Sequence, residues 1–174
     1  MEWNVVLPAL TADGLLPPAG APYLTDMDEL RQIFVDGAPA FRDERARVFT
    51  ALELHLGLAR ERVGAGIHAW IDGGFITHKT WAAPHDADVA LVISPTAHFV
   101  VDEVLPLLTL KDVSAVEPKL ATARLQPMGG LVDAFLVPDQ PAARATWHDT
   151  WSSVKDATGV IVQGQRKGYV EVIL

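Results

Sequence analysis

Apolar residues recur with a helical period between residues 25 and 62, and this pattern predicts two helices. The first begins at Thr25 or Asp26, since either side chain can cap a helix. The second runs from about Ala40 to Arg62 as an amphipathic helix. A stretch rich in proline and glycine, residues 15–22, precedes them and predicts an extended lead-in. The apolar positions of the two stripes are Leu30, Ile33 and Phe34, followed by Phe41, Val48, Leu52, Leu56 and Ala59.

Beyond residue 62 the pattern changes to short apolar runs that are typical of strands. Ile67–Ile71 and Asp88–Ile93 predict two strands, with a turn at Gly73 and Gly74 after the first. The segment Thr96–Leu110 has helical spacing that Pro106 interrupts, so we expect a kink or an early end there. The remaining expected elements are strands at 122–125, 131–137 and 168–174 and a helix over Pro141–Val154. This order predicts an α/β (α+β) fold in which helices flank a mixed β-sheet.

Length and composition indicate one domain. The chain has 174 residues, of which 49% are hydrophobic and 21% charged, as expected for one packed core. We expect a single domain, 1–174, in four parts. They are an extended lead-in (1–24), the N-terminal helices (25–62), a core with the candidate chemistry (67–137), and a C-terminal helix and strand (141–174).

Composition also narrows the compartment and the partners. No apolar run is long enough to span a bilayer, and Met1–Asn4 lacks the basic start of a signal peptide, so we expect a cytoplasmic protein without a membrane partner. The net charge of −8 argues against a general nucleic-acid binder. Five arginines leave two interpretations open, a local basic patch or a solvated helix face with intervening acids; they are Arg42, Arg45, Arg47, Arg60 and Arg62.

Three aspartates are the candidate metal ligands. Asp86 and Asp88 lie two positions apart at the head of an apolar strand, so both carboxylates leave the same face. Such a pair either binds a cation or is solvated in a loop. Asp133 lies within the apolar run 131–137, where a charge requires a partner or a metal. Because the chain has no cysteine, the available ligands favour a hard ion, Mg²⁺ or Mn²⁺.

The turn between the two strands is a candidate anion site. Gly73 and Gly74 let the backbone approach a ligand closely and present N–H groups to phosphate oxygens. Thr77 and Lys79 add a hydroxyl and a positive charge to the same connection. The alternative is an ordinary turn followed by an exposed polar loop.

Histidines and tryptophans are weaker candidates. His78 and His85 could ligate a transition metal, although separate histidines in a polar loop are commonly ordinary loop residues without a metal. We expect Trp70 in the core and Trp147 and Trp151 on one helix face, because they lie four residues apart. Trp81, between the glycines and the aspartates, is free to stack on a base or sugar.

The glycine turn, the Asp-x-Asp pair entering an apolar strand and the third acid on a later strand together resemble the DNA polymerase β-like nucleotidyltransferases. Further segments look like an uncharacterised bacterial branch of that superfamily; they are residues 16–20, 70–79, 84–89 and 167–172. The resemblance implies the nucleotidyltransferase fold, with Gly73 and Gly74 against a triphosphate. It further implies that Asp86, Asp88 and Asp133 bind the metal and are the catalytic residues.

That resemblance implies transfer of a nucleoside monophosphate from a nucleoside triphosphate to a hydroxyl group by two-metal chemistry. Asp133 would also assist deprotonation of the acceptor, which could be an RNA end, a protein or a small molecule. Many members have serine where this chain has Gly74, and Thr77 either replaces that hydroxyl or does not.

Three other functions fit part of the pattern. His85-Asp86 resembles the dipeptide of metal-dependent phosphohydrolases, but here it enters a strand. Asp-x-Asp also occurs in sugar-nucleotide glycosyltransferases, which are generally larger. The third is a non-catalytic module of the same fold that binds nucleotide or a partner. A separate helical partner protein, as in toxin–antitoxin or phage-defence pairs, suits either a minimal enzyme or such a module.

Overall fold

Helices and strands form one mixed α/β domain in this computed structural model, which describes residues 6–117 and 119–174. The α-helices are Met27–Arg31 (α1), Arg42–Val63 (α2), Val101–Val104 (α3) and Pro141–Trp151 (α4). The strands are Tyr23–Leu24 (β1), His68–Asp72 (β2), Ala87–Ile93 (β3), Leu110–Ala115 (β4), Leu120–Leu125 (β5), Val132–Pro138 (β6), Ser153–Lys155 (β7), Ile161–Arg166 (β8) and Val170–Ile173 (β9).

Five strands form a mixed central sheet in the order β1-β9-β2-β3-β6. Strand β2 is antiparallel to both β9 and β3, whereas β3 and β6 are parallel. The other strands make two separate hairpins, β4 with β5 and β7 with β8. The predicted mixed sheet with flanking helices is therefore confirmed.

Both faces of the sheet are covered, which explains why β3 reads as a continuous apolar run. On one face, side chains such as Ile71, Val89 and Leu91 join the main core with the buried stripe of α2. On the other face, Trp70 and Val92 pack in a smaller cluster that includes residues of α4. The acids of interest lie on this second face, beside the smaller cluster.

The two N-terminal helices form near the predicted boundaries. The Asp26 side chain accepts a 2.8 Å hydrogen bond from the Glu29 N–H and so caps α1, which continues as a π-helical turn over Gln32–Asp36. Helix α2 begins two residues later than predicted. Phe41 is not part of its stripe, because it lies at the N-cap with a φ of 61°.

In the segment Thr96–Leu110 the predicted early end at Pro106 is confirmed, but the helix is much shorter than predicted. The helix there spans only Val101–Val104, a 3₁₀ turn over Leu105–Leu107 includes Pro106, and Leu110 already begins β4. Proline lacks the N–H that a continuing helix requires.

Two hairpins account for the other differences. Helix α4 ends at Trp151 rather than Val154, and the residues after it form β7. Neither β4, β7 nor β8 was predicted, and 122–125 is only part of β5. Their strands are mostly exposed, so they lack the apolar pattern that marks a buried strand.

The lead-in reaches the glycine turn. Residues 1–5 of the predicted lead-in lie outside the described residues. They include Met1–Asn4, on which the expectation about a signal peptide rests. The rest runs without a helix to β1, and Leu15 makes an isolated antiparallel bridge with Thr77. Within residues 6–117 and 119–174, no helix is both long and apolar enough to cross a bilayer.

Hydrogen bonds from Arg45 on α2 connect the segment of the glycine turn to the helices. Its side chain is fully buried and donates to the carbonyls of Phe34, Phe75 and Thr77, at 3.1, 3.0 and 2.6 Å, and to that of Ala40. Carbonyl dipoles thus stabilise a charge that would be costly to bury alone. Arg45 is therefore part of neither a surface basic patch nor a solvated helix face, the two predicted interpretations. The other four arginines are exposed along α2; they are Arg42, Arg47, Arg60 and Arg62.

Replacing this arginine should destabilise the protein strongly. We expect Arg45→Ala to lower the free energy of unfolding by roughly 3–5 kcal/mol, because it leaves several buried carbonyls without donors. Arg47→Ala, two residues along the same helix but exposed, should change it by less than about 0.5 kcal/mol. Urea denaturation of both variants measures the difference, and equal stabilities would contradict the role given to Arg45.

Candidate functional site

The turn after β2 has a backbone conformation that only glycine adopts readily. Gly73 has φ 85° and ψ −166°, and a short 3₁₀ turn, Gly74–Ile76, follows it. The side chains of Phe75 and Ile76 are buried and hold this turn against the core. The turn is therefore fixed by packing on one side and by Arg45 on the other.

Gly73 also leaves room for a carboxylate. A Cβ atom at this position would overlap Oδ2 of Asp88, the acid of β3. At Gly74, a Cβ atom would lie 2.8 Å from Nζ of Lys79. The ammonium group of Lys79 therefore takes the space that a larger side chain at position 74 would need.

The sheet register places three aspartates in one row. Asp72 on β2 is the direct partner of Asp88 on β3, and Asp88 is in turn the direct partner of Asp133 on β6. Residues directly opposite each other in a sheet leave the same face. Three neighbouring strands thus each contribute one carboxylate at the same level.

The two outer members of the row have cationic partners. Lys167 forms an ion pair with Asp72, and Arg124 forms one with Oδ2 of Asp133. The hydroxyl of Thr109 donates to the other oxygen of Asp133 at 2.6 Å. Asp72 and Asp133 are both buried, so these partners offset part of the cost of burying a carboxylate. Burial still raises the pKa of Asp72, although the charge and hydrogen bond of Lys167 oppose that shift.

Asp88, in the middle, forms no ion pair within the described part of the chain, although the charge of Lys167 lowers its pKa. Among the described residues, Gln126 donates to Asp86 at 2.8 Å, but no donor reaches the Asp88 carboxylate. Burial, together with repulsion from Asp72, Asp86 and Asp133, raises the pKa of Asp88 to about 7. A nearby cation would offset that repulsion and lower the pKa of Asp88.

The donor set fits a hard divalent cation. One oxygen from each of Asp86, Asp88 and Asp133 can be chosen such that all three lie within 4.8 Å of one another. Two oxygens bound on opposite sides of Mg²⁺ are about 4 Å apart, so small side-chain rotations bring these ligands into range. Carboxylate oxygens are also the ligands that Mg²⁺ and Mn²⁺ prefer.

The remaining predicted residues surround the same point. Burial and the charge of Arg45 lower the pKa of Lys79, and the carboxylates of Asp86 and Asp88 oppose that shift. Thr77 is buried, and its hydroxyl donates to the Gly74 carbonyl at 2.9 Å. That hydroxyl therefore shapes the turn instead of pointing freely at a ligand.

A cleft of about 790 Å³ opens in front of the row. Its walls include Gly73, Gly74, Thr77 and Lys79 as well as Asp88 and Asp133, whereas Asp86 lies outside the lining. Five aspartates and three lysines line it, so acidic side chains outnumber basic ones. An anionic ligand would thus need an accompanying cation.

Aromatic rings form another part of the cleft wall. Phe135 and Trp147 lie 5.2 Å apart between ring centroids, and Trp147 and Trp151 lie 5.4 Å apart. The predicted shared face of Trp147 and Trp151 is confirmed, as is the burial of Trp70. Trp81 is 63% exposed at the rim, with Lys79 Nζ 4.8 Å from its ring centroid.

The two histidines lie apart from the acids' ligand group. His78 Nε2 is 2.8 Å from the carbonyl of Ile33, and its ring packs edge-on against Phe34. His85 is exposed beside Asp86. Among the described residues, neither histidine joins the cluster of possible metal ligands.

Five residues that contact the acids were not predicted from the sequence; they are Asp72, Thr109, Arg124, Gln126 and Lys167. Asp72 carries a visible signal, since it ends an apolar strand just as Asp88 begins one. Lys167 contacts Asp72, Arg124 contacts Asp133 and Gln126 contacts Asp86. Each of the three lies in or next to one of the two hairpins, and nothing in its local sequence indicates the contact.

Gly73 can be tested against another glycine with the same positive φ. Gly73→Ala should destabilise the protein and weaken Mn²⁺ binding at least about 10-fold, because its Cβ displaces the Asp88 carboxylate. Gly66 also has φ 85° but has open space around its Cβ position, so Gly66→Ala isolates the backbone strain. Isothermal titration with Mn²⁺ compares the two, and similar losses in both variants would refute the close contact with Asp88.

One comparison with known proteins gives a match. A family model described as a family of unknown function, DUF6932, matches residues 8–173. Neither the curated proteins nor the solved structures yield a significant match. Since the family model covers nearly the whole chain, the protein belongs to the DUF6932 family.

Proposed function

We propose that this protein is a metal-dependent nucleotidyltransferase that moves a nucleoside monophosphate from a nucleoside triphosphate to a hydroxyl acceptor. The observation that carries the proposal is the meeting of three carboxylates, Asp86, Asp88 and Asp133, beside the glycine turn. A hard cation and a phosphate group would thus be held at neighbouring points. That pairing is the requirement of phosphoryl-group chemistry.

The fold we propose is that of the DNA polymerase β-like superfamily. In support, the turn after β2 leads into an antiparallel strand, β3, which carries Asp88 at its start. Strand β6 runs parallel to β3 and brings Asp133 directly beside it. This register explains how acids distant in sequence form one site.

In the proposed reaction, the acceptor oxygen bonds to the α-phosphorus and the bond from that phosphorus to the bridging oxygen of pyrophosphate breaks. Mg²⁺ or Mn²⁺, held by Asp86, Asp88 and Asp133, would neutralise charge on the phosphates. The backbone of Gly73 and Gly74 and the ammonium of Lys79 position the β- and γ-phosphates. The acceptor's proton passes to Asp133 or to water, and pyrophosphate leaves.

The acceptor class follows from charge. Acidic side chains outnumber basic ones in the cleft lining and the chain carries a net charge of −8, so a small-molecule or protein hydroxyl suits the site better than an RNA end. A donor triphosphate accords with the cytoplasmic location expected from the sequence. A helical partner protein that supplies acceptor binding remains part of the proposal.

One set of observations favours a non-catalytic alternative. The position occupied by serine in many superfamily members is Gly74, and the Thr77 hydroxyl is bonded to a carbonyl within the turn. Arg124 also occupies an oxygen of Asp133. A binding module for nucleotide or for a partner protein would tolerate all three features.

Label transfer separates the two functions. Each nucleoside triphosphate, labelled at the α-phosphate, is incubated with Mg²⁺ or Mn²⁺ and total RNA, cell lysate or the protein itself. We expect covalent label on one acceptor class, reduced at least about 100-fold in Asp86→Asn and in Asp133→Asn, since each substitution removes a metal ligand. Glu53→Gln, which neutralises an exposed acid on α2, should retain full transfer.

Transfer that persists with metal dependence in both aspartate variants would refute this mechanism. Metal-dependent binding of a nucleoside triphosphate without transfer to any acceptor would support the non-catalytic module.

A further inference from the structure

The hairpin of β4 and β5, defined here as the 110–125 hairpin, contacts the acid row through its ends. Its two strands pair only with each other, and none of their described residues is fully buried. Thr109, just before β4, receives a 3.0 Å hydrogen bond from the Ala134 N–H on β6. At the other end, Arg124 and Gln126 extend side chains to the acids.

Those two side chains engage the outer ligands of the proposed metal site. Arg124 donates to Oδ2 of Asp133, and Gln126 donates to Oδ2 of Asp86 at 2.8 Å. The two donors are two positions apart in extended chain and therefore leave the same side of the segment. One segment thus supplies hydrogen-bond donors to carboxylates that would otherwise repel each other.

A cation at the acids would compete with these donors. The other oxygen of Asp133 already accepts the Thr109 hydroxyl, so Oδ2 is the atom best placed to bind a metal, and Arg124 holds it. The Arg124 side chain is 46% exposed and can move into solvent, whereas the Asp133 side chain is only 6% exposed, so a cation must take the place of the guanidinium as it leaves. Gly73 leaves the space in which the Asp88 carboxylate completes the ligand set.

We propose that Arg124 and Gln126 are positioning residues that substitute for the divalent cation, holding Asp133 and Asp86 as ligands until the cation displaces them and loosens the 110–125 hairpin. The inference rests on the metal site of the proposed function. Binding of the metal and docking of the hairpin are then linked, so each weakens the other by the same factor. Hairpin release would make the edge of the site accessible only once the metal is bound.

The affinity for Mn²⁺ alone tests the competition. Arg124→Gln should raise it at least about 5-fold, because the competing guanidinium is gone. Lys111 is the direct partner of Arg124 across the hairpin and is exposed, so Lys111→Gln removes the same charge without touching an acid and should have little effect. Gln126→Ala provides a second, neutral variant, with a smaller increase expected.

Hydrogen exchange measures the release directly. In the wild-type protein, Mn²⁺ should speed exchange of the β4 and β5 amides, whereas in Arg124→Gln exchange should be fast already and insensitive to Mn²⁺. Equal affinities in Arg124→Gln and Lys111→Gln, or hairpin exchange that Mn²⁺ slows or leaves unchanged, would overturn the inference.

These outcomes are separable from those of the proposed function. Mn²⁺ binding with hairpin release but without nucleotidyl transfer leaves this inference standing and removes the enzyme. Nucleotidyl transfer without hairpin release would support the proposed enzyme and overturn this inference. Absence of Mn²⁺ binding in every variant overturns both.

Discussion

Electrostatic repulsion within one row of carboxylates is the constraint on which the site depends. Asp72, Asp88 and Asp133 lie side by side on three adjacent strands, and Asp86 adds a fourth charge next to them. Lys167 and Arg124 relieve the two ends of the row. At the centre, burial and the neighbouring acids raise the pKa of Asp88 to about 7, although the charge of Lys167 opposes the shift. A structure that places acids in this way gains stability when a cation binds.

The surrounding structure keeps the row from relaxing. Both faces of the sheet are packed, so β3 cannot rotate Asp88 outward without exposing its apolar side chains. Arg45 holds the far side of the glycine turn, and the lack of a side chain at Gly73 lets the backbone lie against Asp88. Packing and hydrogen bonds therefore hold the backbone of the turn close to the acids, which favours preorganised binding of charged ligands.

Much of this arrangement could be predicted from sequence because it follows local rules. The period-two placement of Asp86 and Asp88 fixes their common face, and a charge within an apolar strand marks Asp133. The helical stripe of α2 is visible for the same reason, since amphipathic spacing reflects burial on one side.

The contributions of Arg45, Arg124 and Lys167 could not be predicted, because each depends on tertiary contacts across 30 or more residues or on hairpins with exposed strands. Arg45 looks like any other arginine of a solvated helix, yet its donors end at Phe75 and Thr77. Arg124 and Lys167 meet Asp133 and Asp72 only after the chain has folded. The exposed strands β4 and β5 have no apolar periodicity from which they could be predicted.

Proton release on metal binding tests the central claim most directly. Metal ligands bind as carboxylates, so Asp88 must lose the proton that it holds below a pKa of about 7. Calorimetric titration with Mn²⁺, in buffers of different ionisation enthalpy, counts the protons released. The account predicts release of most of one proton near pH 6 and almost none near pH 9. Binding without a pH-dependent proton release, or no binding at either pH, would contradict it.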